Sequence, residues 1–264
     1  MKLRRTPVQL IDGIYVKRED LCSPAGWPKF SKCRGVLQHI RERDEETIGV
    51  LDTAHSQAGW VVAAVCKLRG KRCVNFYPHF KAEARGHIRP FQKRAEGFGA
   101  RLFPLQAGRS AILYHQAKKE LLRISGDSYL MPNALKLTES VEETAQEAAH
   151  LPGSYRRVII PVSSGTIAAG VLLGLSRKGK FPRVYLHLGY SRSHDAVIEY
   201  VQGYAPDYPV EKIKIIDEGY KYKDSARGTD RPKFPCNEFY DLKTWQWLRQ
   251  RNWSGKTLFW NIGA

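Results

Sequence analysis

Several features that mark membrane, secreted or zinc-binding proteins are missing from this sequence. No apolar run approaches the ~20 residues that a membrane-spanning helix needs. The basic start, MKLRRTPVQL, lacks the apolar centre of a secretory signal. The five cysteines form no CxxC pair, and the eight histidines form no HExxH pair. We therefore expect reduced thiols, a cytoplasmic location, no metal site and no membrane partner.

Acidic residues are also scarce, at 26 against 43 lysines and arginines, which gives a formal net charge of +17. Such an excess attracts polyanions and steers them from a distance. The 264 residues are 42% hydrophobic and 11% aromatic, which is typical of a globular protein. A chain of this length can form one large domain or two modest ones.

Short β-branched runs alternate with helical patterns along the chain. The predicted strands are 13–20, 47–53, 72–78, 100–105, 157–163, 183–190, 211–218 and 257–262. The predicted helices are 34–43, 58–69, 89–98, 109–124, 138–150, 166–178, 193–203 and 241–251. Several strands are apolar at nearly every position, as strands buried on both faces are. The alternation predicts an α/β fold with mostly parallel sheets.

The stretch PVSSGTIAAGVLLGL, 161–175, is the strongest local motif. An apolar strand ends at Val162, a turn of small residues follows, and an Ala/Gly/Leu helix begins. The free N–H groups and the dipole of a helix start attract a phosphate, which small side chains allow to approach closely. The spacing fits neither a P-loop nor GxGxxG. A plain tight turn is the alternative.

A second polar turn joins a strand to a helix in LDTAHSQAGWVVAAVCKLRG, 51–70. The turn contains Ser56 and Gln57, and the helix after it has an Ala/Val-rich face suited to close packing. Viewed alone, Ser56 is readily explained as a helix N-cap.

Taken in order, seven stretches resemble the fold-type II pyridoxal-phosphate (PLP) enzymes of the tryptophan-synthase-β-like superfamily, and most of all the aminocyclopropane-carboxylate deaminase and D-cysteine desulfhydrase branch. These stretches are TPVQL (6–10), VKRED (16–20), SKCRG (31–35), AHSQAGWVVAAVCKLRG (54–70), VSSGTIAAG (162–170), YDLKTWQWL (240–248) and LFWNIG (258–263). The resemblance implies a larger cofactor-binding domain, 1–35 and 136–264, and a smaller α/β domain, 36–135. It also implies a cofactor between the two domains and a homodimer.

The resemblance assigns roles to residues. The family's N-K-x-R pattern falls on 31–34, so Lys32 is the lysine expected to join covalently to the cofactor, whereas Lys29 is not. Such a lysine must be neutral at working pH, which partial burial favours. The cofactor phosphate is expected at Ser163, Ser164, Gly165 and Thr166. Ser56 is expected near the substrate or its proton, and Gln57, where the family has Asn, beside the ring oxygen.

Tyr240 and Asp241 in FYDLKT correspond to a Tyr-Glu pair of the deaminase branch. The resemblance puts Asp241 on the pyridine nitrogen and Tyr240 towards the substrate. A carboxylate there keeps the nitrogen protonated and makes the cofactor a strong electron sink. Asp is shorter than Glu, however, and Leu242 stands where the family has Gly. The alternative role of Asp241 is a helix N-cap.

The segment 217–235 lies where the family has a tyrosine-rich loop near the site, so Tyr220 and Tyr222 are candidate substrate contacts. Five cations in the segment are candidate nucleic-acid contacts: Lys221, Lys223, Arg227, Arg231 and Lys233. The alternative is a solvated loop without a partner.

The resemblance implies a PLP-dependent lyase acting at Cα of an amino-acid group, with Lys32, Ser56 or Tyr240 moving the proton. Decarboxylation, deamination and β-elimination all remain open. The charge favours an amino acid attached to a modified DNA base, such as a hypermodified thymidine of a phage, and hence also the cytoplasm of an infected host. A free small amino acid is one alternative substrate. A non-catalytic nucleic-acid-binding protein on the same scaffold is another alternative.

Overall fold

The computed structural model describes residues 5–28, 32–80, 88–106 and 108–263 of the chain. Strands and helices alternate along most of it. The strands are β1 (Val8–Ile11), β2 (Ile14–Arg18), β3 (Thr47–Leu51), β4 (Arg72–His79), β5 (Arg101–Gln106), β6 (Ser128–Leu130), β7 (Arg157–Val162), β8 (Arg183–Leu188), β9 (Ile213–Ile216) and β10 (Thr257–Asn261). The helices are α1 (Lys32–Arg41), α2 (Ala58–Arg69), α3 (Pro90–Gly97), α4 (Ser110–Ile124), α5 (Thr138–Ala149), α6 (Thr166–Arg177), α7 (His194–Tyr204) and α8 (Asp241–Arg249).

One compact unit, Lys2–Lys32 with Ser140–Ala264, contains a six-stranded sheet in the order β1-β2-β10-β7-β8-β9. Its neighbouring strands are parallel except for the antiparallel pair β1 and β2. Val158 and Ile160 of β7 pack into a core with residues of α6 and α7. Ile159, between them, packs into a second core with Trp245 and Leu248 of α8. Helices thus cover both faces, which explains the continuous apolar runs.

The other unit, Cys33–Glu139, contains a four-stranded parallel sheet in the order β5-β4-β3-β6. Leu113, Ala117 and Leu121 lie along one stripe of α4 and pack on Val74 and Phe76 of β4. Their spacing of four residues puts them on a single helix face, so α4 is amphipathic and buries this stripe.

The structure confirms the predicted α/β class with mostly parallel sheets, and it adds two strands that the sequence patterns did not reveal. Strand β1 forms a hairpin with β2 through Asp12 and Gly13, whose φ angles of 49° and 80° suit a tight hairpin turn. Strand β6 has only three residues, too few for a visible alternation. The first predicted helix begins at Lys32, two residues earlier than the pattern 34–43 indicated.

Within the described ranges, no helix combines the length and the apolar character needed to cross a membrane. The same part of the chain contains no group of three His, Cys, Asp or Glu side chains arranged to hold a metal ion. Cys22, Cys33, Cys66, Cys73 and Cys236 carry free thiols, so packing rather than disulfide bonds holds the fold together.

Candidate active site

The turn between β7 and α6 forms the centre of the candidate site. Gly165 has φ = 90° and is the residue before the first turn of the helix, which Thr166 begins. A Cβ atom at Gly165 would lie 2.9 Å from the Tyr200 ring, so both the backbone angle and the packing require glycine. No side chain at Gly165 caps the helix. The first N–H groups of α6 and its dipole are suited to receive a phosphate. We call the turn 163–166 the phosphate turn.

The amine of Lys32 lies at this turn. Lys32 is the half-buried first residue of α1, and its Nζ donates a hydrogen bond of 3.0 Å to Ser164 Oγ. Ser164 Oγ lies 3.0 Å from Thr166 Oγ1, so the amine and two hydroxyls form one hydrogen-bonded group. The structure thus brings together four of the residues that the sequence singled out for the cofactor: Lys32, Ser164, Gly165 and Thr166.

Tyr240 lies beside the same turn. Its hydroxyl is hydrogen-bonded to the side chains of Ser163 and Tyr222. Its ring packs on Gly189, at which a Cβ atom would lie only 2.6 Å from Tyr240 Cδ1. Burial, and then Tyr222, raise the pKa of Tyr240 well above its ordinary value of 10. Tyr240 therefore holds its proton more tightly than an ordinary tyrosine and is uncharged at neutral pH.

Asp241 is fully buried and is held by backbone N–H groups. Its Oδ2 accepts from Asn237 and Gly263 at 3.3 Å each, and its Oδ1 accepts from Ile262 at 3.1 Å. Burial nevertheless raises the pKa of Asp241 to about 7, so a cation nearby would favour its ionised form. The alternative N-cap role is wrong, since α8 begins at Asp241 itself and its N-cap is Tyr240.

The departure at Leu242 has a packing explanation. Leu242 is buried in the apolar cluster that contains Ile159, Trp245 and Phe259, under the sheet. A glycine at this position would leave a void beside three large side chains. The leucine therefore serves the core of this chain, on the face of the sheet that α8 covers.

The predicted substrate tyrosines occupy different surroundings. Tyr222 stacks edge-on against Tyr190 at 5.1 Å and reaches Tyr240, whereas Tyr220 is buried between two cations. Arg227 lies 4.3 Å and Lys243 4.4 Å from the centre of the Tyr220 ring. The five predicted nucleic-acid contacts, Lys221, Lys223, Arg227, Arg231 and Lys233, are all exposed.

Sequence reasoning missed two cations beside these residues. Arg192 donates from Nη1 to the carbonyl of Ser163, at the phosphate turn. Lys243 is completely buried and donates from Nζ to the Gly189 carbonyl at 2.6 Å, and burial lowers its pKa to about 8. Lys243 lay within the recognised motif FYDLKT, but no local pattern distinguishes Arg192 from other surface arginines.

Ser56 and Gln57 lie in the other unit, at the start of α2. The N-cap is Gln57, so the alternative that Ser56 occupies this position is wrong, although Ser56 Oγ does accept from the Ala58 N–H at 3.0 Å.

Ser56 is also hydrogen-bonded to Asp52, which is fully buried at the end of β3 and which sequence reasoning missed. Burial raises the pKa of Asp52 to about 7. A Cβ atom at Gly59 would lie 2.6 Å from Asp52 Oδ2, so only glycine lets the backbone of α2 approach the Asp52 carboxyl group this closely.

Replacing Asp52 with asparagine should remove a pH-dependent contribution to the free energy of unfolding. A buried carboxyl whose pKa is raised from 3.8 to about 7 keeps its proton after the unfolded chain has released it. Its contribution is therefore full below about pH 4 and falls by about 4 kcal/mol as the pH rises to about 7. Urea unfolding of both proteins across this range would measure the difference.

The matched control is Asp195→Asn, the same chemical change at an exposed position on α7. The control should keep the pH slope of the wild type. Equal slopes for Asp52→Asn, Asp195→Asn and the wild type would show that the Asp52 carboxyl titrates as it does in the unfolded chain.

A parallel α/β fold with an amine beside the turn at the carboxyl end of one strand is suited to an enzyme that binds a phosphorylated aldehyde. PLP fits the residues present, because Lys32 can bond to an aldehyde while Ser164, Thr166 and the start of α6 receive a phosphate. Comparison with known proteins identifies the family. A family model described as "Pyridoxal-phosphate dependent enzyme" matches residues 1–202. The chain belongs to this family, and the predicted cofactor is confirmed.

The similarity to known proteins extends over nearly the whole chain. A glycyl-dTMP PLP-dependent decarboxylase of Pseudomonas phage M6 is 50% identical over 279 residues, which cover 100% of both proteins. The structure of an ACC deaminase homologue has a TM-score of 0.80 at 17% identity and covers 98% of this chain and 89% of its own. A hydrogen sulfide-producing enzyme from Fusobacterium nucleatum has a TM-score of 0.67 at 14% identity, with 100% and 96% covered. The two structures support the fold, and the resemblance to fold-type II PLP enzymes is confirmed.

Proposed function

We propose that this PLP-dependent enzyme decarboxylates a glycyl group attached to a thymidine nucleotide, within a DNA strand. The contact that carries the catalytic part of the proposal is the hydrogen bond from Lys32 Nζ to Ser164 Oγ at the phosphate turn. The substrate part is supported by the phage relative, whose name gives both the reaction and glycyl-dTMP. Identity of 50% over both full lengths makes a shared chemistry the simplest expectation.

PLP, when bound, supplies an aldehyde for an amine and an acceptor for the electron pair that CO₂ leaves behind. Lys32 would hold the aldehyde through its amine, and the same amine, when free, could carry a proton. Ser163, Ser164, Gly165 and Thr166 would hold the phosphate, and by the family resemblance Gln57 would be the partner of the ring oxygen. Asp241 would be the partner of the pyridine nitrogen, whose positive charge would favour its ionised form.

Loss of CO₂ from Cα requires one proton in return. Tyr240 is one candidate to give it, because its hydroxyl carries a proton and is hydrogen-bonded to Ser163 and Tyr222. Its raised pKa makes it a weaker acid than an ordinary tyrosine. Lys32 and Ser56 are the other candidates for this transfer. Tyr220 and Tyr222 are the proposed substrate contacts. Arg227 and Lys243 lie against the Tyr220 ring, and Tyr222 is hydrogen-bonded to Tyr240.

The DNA part of the proposal is supported by charge. The net charge is +17, and the segment 217–235 exposes five cations next to Tyr220 and Tyr222. Lysines and arginines that neutralise phosphates give binding that weakens steeply with salt. By the family resemblance we further propose a homodimer that acts in a cytoplasm, including that of a phage-infected host.

The test is to incubate the cofactor-loaded enzyme with glycyl-dTMP, with DNA that carries the glycyl group, and with a panel of free amino acids. We expect mass spectrometry to show that both glycyl substrates lose the mass of one CO₂. Release of ammonia from a free amino acid, with the glycyl substrates unchanged, would instead identify a deaminase. A protein that binds DNA and changes no substrate would support the non-catalytic alternative.

A further inference from the structure

A second basic site lies at the opposite end of β7 and β8 from the phosphate turn. A cavity of about 540 Å³ opens where these two strands begin. Five cations line it: Arg156, Arg157, Lys180, Arg183 and Lys212. Among the described residues that line the cavity, none is acidic. The cavity therefore concentrates positive charge without a carboxylate to offset it.

The contacts of these cations leave their charges available. Lys180 Nζ donates to the Gly153 carbonyl at 2.8 Å, and Lys212 Nζ donates to the Phe181 carbonyl at 2.9 Å. These acceptors are neutral, and Arg183 is exposed. In the described part of the chain, none of the five cations forms an ion pair with a carboxylate.

Arg157 is the buried member of this group of cations. It donates from Nη1 to the Ser254 carbonyl at 2.7 Å and to Thr257 Oγ1 at 3.0 Å. Burial first, and then the charge of Arg156, lower the pKa of Arg157. The charges of Arg156 and Arg157 therefore repel one another, and an anion in the cavity would relieve that repulsion.

Two aromatic rings complete the lining. Tyr155 and Phe181 are half-buried, and each is fixed by an edge-on partner at 5.5 Å, Tyr15 and Tyr208 respectively. Cations that bind phosphates, combined with fixed rings on which bases can stack, are the features of sites for single-stranded nucleic acid. An anion without an aromatic part would leave these rings unused.

We propose that this cavity binds the phosphates of a DNA strand, at a distance from the nucleotide that reacts. Arg157 and Val162 lie five residues apart along β7, which corresponds to about 17 Å. A nucleotide that reacts beside the cofactor cannot fill the cavity as well, so the ligand is a further part of a polynucleotide. The choice of DNA rests on the proposed function, whereas the presence of an anion site rests on the cavity alone.

Binding of fluorescent single-stranded oligodeoxythymidylate to the holoenzyme, followed by anisotropy over a range of salt concentrations, tests this inference. The double variant Arg183→Gln/Lys212→Gln should bind about tenfold more weakly at low salt. Its slope of log affinity against log salt should be shallower by about 1.4, or about 0.7 for each lost contact. Arg183→Gln alone should show half of this change in slope, and it serves if the double variant folds poorly.

The matched control is Lys118→Gln/Lys119→Gln, which removes the same charge from the exposed face of α4. An equal loss in both double variants would overturn the inference, since net charge alone would explain it. Full competition by free dTMP at equal phosphate concentration would also overturn it, by showing a mononucleotide site.

The turnover of glycyl-dTMP separates this inference from the proposed function. Arg183→Gln/Lys212→Gln should turn over this mononucleotide at the rate of the wild type, because the cavity lies away from the phosphate turn. If the wild type changes neither glycyl-dTMP nor DNA that carries the glycyl group, the proposed function fails, and the anisotropy result still decides whether the cavity binds DNA.

Discussion

Lys32→Ala should lose its covalently held cofactor and at least ~10³-fold of its turnover, because one amine both carries the aldehyde and moves a proton. The amine lies 3.0 Å from Ser164 Oγ, so its removal takes away the group at the phosphate turn that can bond to the aldehyde. The purified wild type should be yellow and the variant much paler. Absorbance of the bound cofactor before and after borohydride reduction, followed by mass spectrometry, would measure the covalent link.

Lys29→Ala is the matched control, since it removes the same side chain from the same stretch, GWPKFSKCRG. It should stay yellow and active. Reduction that labels Lys29 rather than Lys32, or an active and coloured Lys32→Ala, would show that the motif has been placed on the wrong lysine.

Asp241→Asn should lower turnover on the order of 10²-fold, because an amide cannot stabilise a positive ring nitrogen as a carboxylate does. The same substitution should lower the free energy of unfolding only modestly. The amide oxygen can still accept from Asn237 and Gly263, whereas the amide nitrogen faces the Ile262 N–H. One lost acceptor costs about 1–3 kcal/mol of unfolding free energy. Steady-state kinetics and urea unfolding would measure the two effects separately.

Asp241→Ala separates the chemical role from the structural one. It removes the acceptor of all three backbone N–H groups, so it should destabilise the fold more than asparagine does. The two variants should nevertheless lose similar amounts of turnover per folded molecule. If Asp241→Asn keeps full turnover, the carboxylate is structural and another residue faces the pyridine nitrogen.

The fold class could be predicted from the sequence because several short β-branched runs are apolar at nearly every position and alternate with helix-length segments. Strand β7 reads RVIIPV, which only a sheet covered on both faces can bury. The position of the turn could also be predicted, since Ser163, Ser164 and Gly165 stand between an apolar strand and a helix. These features depend on neighbours along the chain, which a sequence displays directly.

Contacts between distant residues could not be predicted. Asp52 meets Asn75 across 23 residues, and Arg192 meets Ser163 across 29, with no periodic signal at either pair. Asp241 could be named from the family motif, but its bonds to Ile262 and Gly263 depend on how β10 enters the sheet. The cavity beside Arg156 and Arg183 has the same origin, because it arises where two strands start side by side.

The position of β10 has a consequence for protein synthesis. This strand is the last of the described strands in sequence, yet it lies in the middle of its sheet and pairs with both β2 and β7. While a ribosome is still making residues 257–261, the amino-terminal hairpin of β1 and β2 lacks β10, the strand with which it pairs. Pairing of strands this far apart is slow. Until β10 is made, the edges of β2 and β7 that face it in the folded sheet therefore stay unpaired on the nascent chain.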